Sequence, residues 1–91
     1  MQVFWTRPAA EDLRHIARYI RRDNPTAARK VAATIFAEGN SLDILSERGR
    51  PGRIPGTREL IFPGWPYILV YQVAANAVQI LHVYHGAQDW P

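Results

Sequence analysis

The sequence contains no cysteine, and this absence removes several kinds of chemistry at once. Without a thiol the chain can form no disulfide, no thiolate nucleophile and no cysteine-ligated zinc site. It also has no apolar run near the roughly 20 residues that a membrane span needs, and its first residues lack the basic and apolar regions of a signal peptide. We therefore expect a cytoplasmic protein that makes no membrane contact.

The chain is also short, with 91 residues. A domain of this size buries only roughly 60 to 65% of its unfolded surface, which leaves little room for a deep substrate cavity. We predict a single domain over residues 1–91 that acts through a shallow site or a partner interface. The apolar fraction of 47% is typical of a folded chain, and the net charge of +3 favours acidic partners such as nucleic acid or an acidic protein.

Two helices are predicted in the first half of the chain. The first follows Thr6, a candidate N-cap, and carries apolar residues at helical spacing as far as Ile20. The second begins at Asn24-Pro25, because the residue before a proline avoids the helical region, and its apolar spacing continues to Leu45. So short a turn predicts an antiparallel helix hairpin.

Sequence typical of β-strands lies on both sides of the helices. One run covers residues 2–6, and three more cover 57–62, 67–73 and 77–84, separated by short turns rich in proline, glycine or asparagine. Short connections predict antiparallel neighbours. The order β-α-α-β-β-β therefore predicts an α+β fold in which the helix hairpin packs on one face of a small, mainly antiparallel sheet.

The segment 46–56 between these two halves is rich in glycine and proline and is basic. Guanidinium groups suit phosphate or carboxylate, and a glycine-rich backbone lets a large partner approach closely. The plainer interpretation is a solvated loop, and Gly49 and Gly52 are not followed by the Lys-Ser/Thr of a phosphate-binding loop. The candidate target-binding residues are Arg50, Arg53 and Arg58, with Trp65 in the following proline-bounded turn.

Candidate catalytic residues lie near the end of the last strand. His82 and His85 are three positions apart, so they point to opposite faces of a strand and make no evident metal pair. A histidine at a strand end can act as a general acid or base, and Tyr84 or an arginine such as Arg58 could complete a set that cleaves phosphodiesters. Spacing alone favours a structural role for all of them, and no metal or cofactor motif is found.

Several ordered motifs give the chain a resemblance to a known superfamily. They are Asp12-Leu13, Asn24-Pro25, Gly49-Arg50-Pro51-Gly52-Arg53, Gly56-Thr57-Arg58-Glu59-Leu60, Tyr67-Ile68-Leu69-Val70-Tyr71, His85-Gly86 and Gln88-Asp89-Trp90-Pro91. In this order, from Trp5 to the last residue, they resemble the RelE/ParE toxins. The resemblance implies the toxin half of a type II toxin-antitoxin pair, with two helices against an antiparallel sheet and a small antitoxin that wraps the toxin in an oligomeric assembly. Arg14 and Arg18, adjacent on the first helix and mutually repelling, are candidate contacts for an acidic antitoxin segment.

The superfamily contains two activities. RelE-like members cleave mRNA on the ribosome and ParE-like members poison DNA gyrase. The ribonucleases carry an arginine two residues before a Val-Tyr pair, where this chain has Ile68, so a large electrostatic contribution to cleavage is lost. The resemblance therefore favours a ParE-like gyrase inhibitor without catalytic residues. The alternative is an endoribonuclease that uses His85, Arg58 and Tyr84, and a noncatalytic binding module is a third possibility.

Overall fold

The computed structural model describes residues 1–88 and 90. It contains two helices on a five-stranded sheet, in the predicted order with one additional strand of two residues. The elements are β1 Gln2–Trp5, α1 Arg7–Arg21, α2 Pro25–Asn40, β2 Arg50–Pro51, β3 Arg58–Ile61, β4 Tyr67–Ala74 and β5 Ala77–His85.

Both helices begin as the sequence predicts. The Thr6 hydroxyl accepts a hydrogen bond from the Ala9 N–H at 3.3 Å, and the Asn24 side chain accepts one from the Ala27 N–H at 3.0 Å. The predicted extension of α2 to Leu45 is wrong, because the helix ends at Asn40 and tightens into a 3₁₀ turn over Ser41–Asp43. The tighter turn still buries Leu42 but leaves Leu45 exposed.

The strand order is β1-β5-β4-β3-β2. Every neighbouring pair is antiparallel except β1 and β5, which run parallel with Gln2 opposite Ala77. A two-residue turn joins β4 to β5, and both of its residues, Ala75 and Asn76, have positive φ, as a hairpin turn matched to the strand twist requires. The first and last strands of the chain thus lie side by side in the sheet.

The hydrophobic core lies between the helices and one face of the sheet. Leu60, Leu69, Tyr71 and Ile80 project from the strands into this core, where Ile35 of α2 meets them. At the end of α2, Gly39 allows close packing on the sheet: a Cβ there would lie 2.7 Å from the Trp5 ring and 3.0 Å from the Ile80 side chain.

The alternate strand residues point away from the helices and form what we call the outer sheet face. It carries Glu59, Ile61, Ile68, Val70 and Tyr84. No helix within the described ranges, 1–88 and 90, has the length and apolar character to cross a membrane.

Candidate functional site

The Glu59 carboxylate accepts hydrogen bonds from the basic loop, which is the segment 46–56. This carboxylate is only 2% exposed and accepts hydrogen bonds from Arg50 Nε at 3.2 Å, Arg50 Nη2 at 2.9 Å and the Arg53 N–H at 3.2 Å. A buried carboxylate is costly unless it is paired and hydrogen-bonded. Arg50 is therefore a structural partner of Glu59 as well as a surface cation, with 55% of its side chain exposed.

The loop is also tied to the sheet through Arg58 and Tyr71. The Arg58 guanidinium donates to the Gly49 carbonyl at 2.7 Å and to the Glu47 carbonyl at 3.2 Å. The buried Tyr71 hydroxyl accepts from the Gly49 N–H and donates to the Ser46 carbonyl, both at 2.8 Å. A Cβ at Gly49 would lie 2.7 Å from the tyrosine, so this contact needs glycine. These hydrogen bonds hold residues 46–49 against the sheet, while most side chains of the loop stay exposed.

The structure brings two of the four candidate target-binding residues together and separates the other two. Arg50 and Arg53 meet at the Glu59 carboxylate. Arg58 precedes Glu59 in β3, lies opposite Tyr71 and therefore projects to the other face of the sheet. Trp65 lies in the turn beyond the other end of this strand, stacks on Phe62 with ring centroids 6.4 Å apart and packs against the core. Arg53 is exposed, and its guanidinium donates to the Trp90 carbonyl at 2.7 Å. A role of these four residues in target binding remains a prediction.

His85 lies at the end of β5 in a defined tautomer. Its Nδ1 accepts a hydrogen bond from the Ala87 N–H at 3.0 Å, so the neutral ring carries its proton on Nε2. The ring makes an edge contact with Tyr67, with centroids 5.9 Å apart. The lone pair that a general base would use is therefore already bonded to the backbone.

Tyr84, next in the chain to His85, is buried on the outer sheet face. The Trp90 ring stacks on it with centroids 5.2 Å apart, and its hydroxyl has no hydrogen-bond partner among residues 1–88 and 90. Burial raises the pKa of Tyr84, and the Glu59 carboxylate raises it further, while Arg53 and Arg50 act in the opposite direction. The phenol is therefore held neutral.

The three residues of the candidate catalytic set do not meet. In the strand register, Arg58 lies opposite Tyr71 of β4, whereas His85 lies opposite Tyr67. Tyr67 and Tyr71 are four residues, or about 13 Å, apart along β4. Tyr84 and His85 are consecutive strand residues and project to opposite faces. Beside Tyr84 the cross-strand neighbour is Ile68, at the position where the ribonuclease pattern has an arginine.

A polar pair that the sequence did not indicate, Asp12 and His82, joins α1 to β5. Asp12 Oδ2 lies 3.1 Å from His82 Nδ1 and accepts from the Val83 N–H at 3.0 Å. The Trp90 ring covers His82, with centroids 4.5 Å apart. These residues line a cleft of about 180 Å³. The partners are 70 residues apart in sequence, so no local spacing could have revealed the pair.

The remaining candidates lie on the helix hairpin. Arg14 and Arg18 are exposed on α1, and neither forms an ion pair with another described residue. No cluster of three or more acidic, histidine or cysteine side chains that could hold a metal ion occurs in the part of the chain that the structure describes. The candidate site is therefore a set of surfaces, dominated by arginine, with one small cleft beside Asp12 and His82.

Comparison with known proteins places this geometry in a family. Residues 3–90 match the family described as the ParE toxin of the type II toxin-antitoxin system parDE. The chain is 43% identical to Y4kP of Sinorhizobium fredii over 99% of its length and 93% of that protein, and 34% identical to toxin RelE2 of Caulobacter vibrioides over 96% and 97%.

Solved structures agree with this assignment. A chain of the chromosomal ParDE system of P. aeruginosa superposes with a TM-score of 0.87 at 31% identity, covering 93% of this chain and 95% of that one. A chain of the RelBE2 complex of Mycobacterium tuberculosis has the same fold, with a TM-score of 0.67 at 24% identity over 96% and 92%. The protein belongs to the ParE toxin family and is the toxin of a type II toxin-antitoxin system.

Proposed function

We propose that this toxin inhibits DNA gyrase by a binding mechanism, without cleaving RNA. The observation that carries the proposal is the separation of His85, Arg58 and Tyr84. Cleavage of a phosphodiester needs an acid, a base and a charge-stabilising group within reach of one phosphate. Here the histidine lone pair is bonded to a backbone N–H, the tyrosine is covered by Trp90, and the arginine is bonded to two carbonyls.

Two assays on the purified toxin distinguish the activities. We expect inhibition of gyrase supercoiling with accumulation of cleaved DNA, and intact mRNA in a translating ribosome extract. His85→Ala should keep the gyrase effect. In the ribonuclease alternative the same variant should lose roughly 10²-fold or more in cleavage rate, since an acid or base would be removed. Codon-dependent mRNA cleavage with unaffected gyrase would overturn the proposal.

The basic loop is proposed to contact the target through Arg53 first. Arg53 is exposed, and its guanidinium has only the Trp90 carbonyl as a partner among the described residues, so charge reversal there should abolish growth arrest with little change in thermal stability. Arg48→Glu is the matched control, because it makes the same charge change in the same loop and breaks a partly exposed ion pair with Glu38 and a hydrogen bond to the Ser41 hydroxyl. Equal loss of toxicity in both variants would mean that general charge matters and that Arg53 makes no specific contact.

We further propose that a net acidic, amphipathic antitoxin segment binds this toxin at Arg14 and Arg18 and that the two proteins form an oligomeric assembly. Both structural relatives come from toxin-antitoxin systems. The protein encoded beside the toxin should copurify with it, and absence of a complex at micromolar concentration would contradict this. The double variant Arg14→Glu with Arg18→Glu should bind the antitoxin with a lower association rate constant, and that rate should depend less on salt, as measured by stopped-flow mixing. The dissociation constant should change less than the rate.

A further inference from the structure

The positive charge of the protein is concentrated in one part of the fold. Residues 7–30, which form α1 and the first turns of α2, contain seven of the eleven lysines and arginines and three of the eight acidic residues. This segment therefore has a net charge of +4, and the rest of the chain has a net charge of −1. The helix hairpin accounts for the basic character of the whole protein.

The two groups of cations also differ in what they bind. Each of the four arginines outside the hairpin donates hydrogen bonds within the protein, to Glu38, Glu59 or backbone carbonyls. None of the seven hairpin cations forms an ion pair with another residue of the described part of the chain. Arg29 makes a single long hydrogen bond, to the Thr26 hydroxyl at 3.5 Å. The hairpin cations therefore remain available to a partner.

Five of these cations form a line on α1, which we call the arginine stripe. At 100° per residue they fall within an arc of about 100°, and they extend over about 22 Å of helix axis. The opposite arc carries Ala9, Leu13, Ile16 and Ile20, which face the core, so the stripe points to solvent. Glu11 is the one acid on the same arc. The stripe consists of Arg7, Arg14, Arg18, Arg21 and Arg22, all exposed.

We infer that the arginine stripe binds the phosphodiester backbone of nucleic acid without reading its sequence. Arg18 lies three or four residues from Arg14, Arg21 and Arg22, so these guanidiniums repel each other, and a polyanion whose charges also repeat along a line relieves this repulsion. Arginine supplies the forked donors that suit phosphate, and ten of the eleven cations in the chain are arginine. Contacts to phosphate alone fix position and carry no sequence information. This inference does not depend on gyrase as the target.

The test measures binding of the purified toxin to fluorescein-labelled 20-base-pair duplex DNA and to a single strand of the same length, by anisotropy from 50 to 200 mM salt. If three to five phosphates are neutralised, the slope of log K against log salt on duplex should be about −2.7 to −4.5. The two probes show which form of backbone the stripe prefers. Unlabelled poly-glutamate serves as the acidic-protein competitor and should displace either probe weakly.

Matched variants locate the binding surface. Arg14→Gln with Arg18→Gln should make the duplex slope shallower by about 1.8, because two phosphate contacts are lost. Arg29→Gln with Lys30→Gln removes the same charge from α2, outside the stripe, and should change the slope much less. Thermal melts of both double variants confirm that they are folded.

Three results would overturn the inference. The first is no binding to either probe at 50 mM salt. The second is an equal change in both double variants, which would show that only net charge matters. The third is displacement by poly-glutamate as strong as that by unlabelled DNA, which would leave the acidic antitoxin segment as the ligand of the stripe and remove the preference for phosphate. Inhibition of gyrase is read in a separate assay, so failure of the gyrase proposal would leave the binding result intact.

Discussion

Replacing Arg50 by glutamine should destabilise the folded protein far more than an ordinary surface arginine would. The substitution removes both guanidinium hydrogen bonds from the Glu59 carboxylate and leaves it the Arg53 N–H as its remaining partner among the described residues. Since Glu59 is 2% exposed, water cannot easily replace what is lost. The Glu59 carboxylate would then be buried without the positive charge of Arg50 beside it.

The expected magnitude lies between two limits. Removing one partner of a fully buried ion pair costs about 3–5 kcal/mol, and an exposed pair contributes about 0.2–1 kcal/mol. Arg50 has 55% of its side chain exposed, so part of its interaction is screened by solvent. We expect a loss of about 2 kcal/mol in the free energy of unfolding, or about 8–16 °C in Tm for a domain of this size.

Thermal and urea unfolding of three variants test this reasoning. Arg48→Gln is the control, because its pair with Glu38 is partly exposed on both sides, and it should cost less than about 1 kcal/mol. Adding Glu59→Gln to Arg50→Gln should restore part of the loss, since a neutral amide is less costly to bury than an unpaired carboxylate. An equal loss of Tm in Arg48→Gln and Arg50→Gln, or a double variant less stable than Arg50→Gln alone, would refute a special cost of unpairing Glu59.

Three further substitutions probe other polar groups of the fold. Tyr71→Phe should cost about 1–3 kcal/mol in urea unfolding, because the Gly49 N–H loses its acceptor, and an unchanged midpoint would contradict this. Tyr84→Phe should leave stability unchanged or raise it, since the hydroxyl has no partner among residues 1–88 and 90. Because the pKa of Tyr84 is raised, the folded state keeps the proton longer than the unfolded state, and stability falls as pH rises through about 10. The variant should make that fall shallower, and an unchanged fall would exclude Tyr84 as its source. Asp12→Ala should cost about 1–2 kcal/mol and speed hydrogen exchange at the Val83 amide, which loses its acceptor, and unchanged exchange would count against that bond.

Local signals in the sequence were sufficient for most elements but not for their pairing. Thr6 and Asn24 cap the helices as predicted, because capping depends on neighbouring residues only. The spacing that led to a helix as far as Leu45 reflects burial of Leu42, which a 3₁₀ turn achieves equally well. Strand β2 has two residues, too few for any periodicity. The parallel pairing of β1 with β5 depends on contacts between residues 2–5 and 77–80, which no single window of sequence contains.

In the candidate site, too, local features could be predicted and contacts between distant residues could not. The arginine cluster was evident from composition, but its internal partner was not. Glu59 alternates with the buried Leu60 in β3, so its position predicts a solvent-facing side chain. It is nevertheless buried, and the neighbouring strand β2 supplies Arg50, whose guanidinium hydrogen-bonds to the carboxylate. The Asp12 and His82 pair was missed for the related reason that it joins α1 to the edge of β5.

The two groups of arginines differ in what a partner must displace in order to bind them. A partner that binds Arg50 or Arg58 must compete with hydrogen bonds already made to Glu59 or to the Gly49 and Glu47 carbonyls, so it gains only the difference between the new and the existing contacts. A partner that binds the arginine stripe breaks no ion pair with a residue of the described part of the chain and relieves repulsion between like charges. Arg14 and Arg18 belong both to the stripe and to the proposed antitoxin contact. An antitoxin bound there would therefore exclude nucleic acid from the same helix face, and the two ligands would compete for one surface.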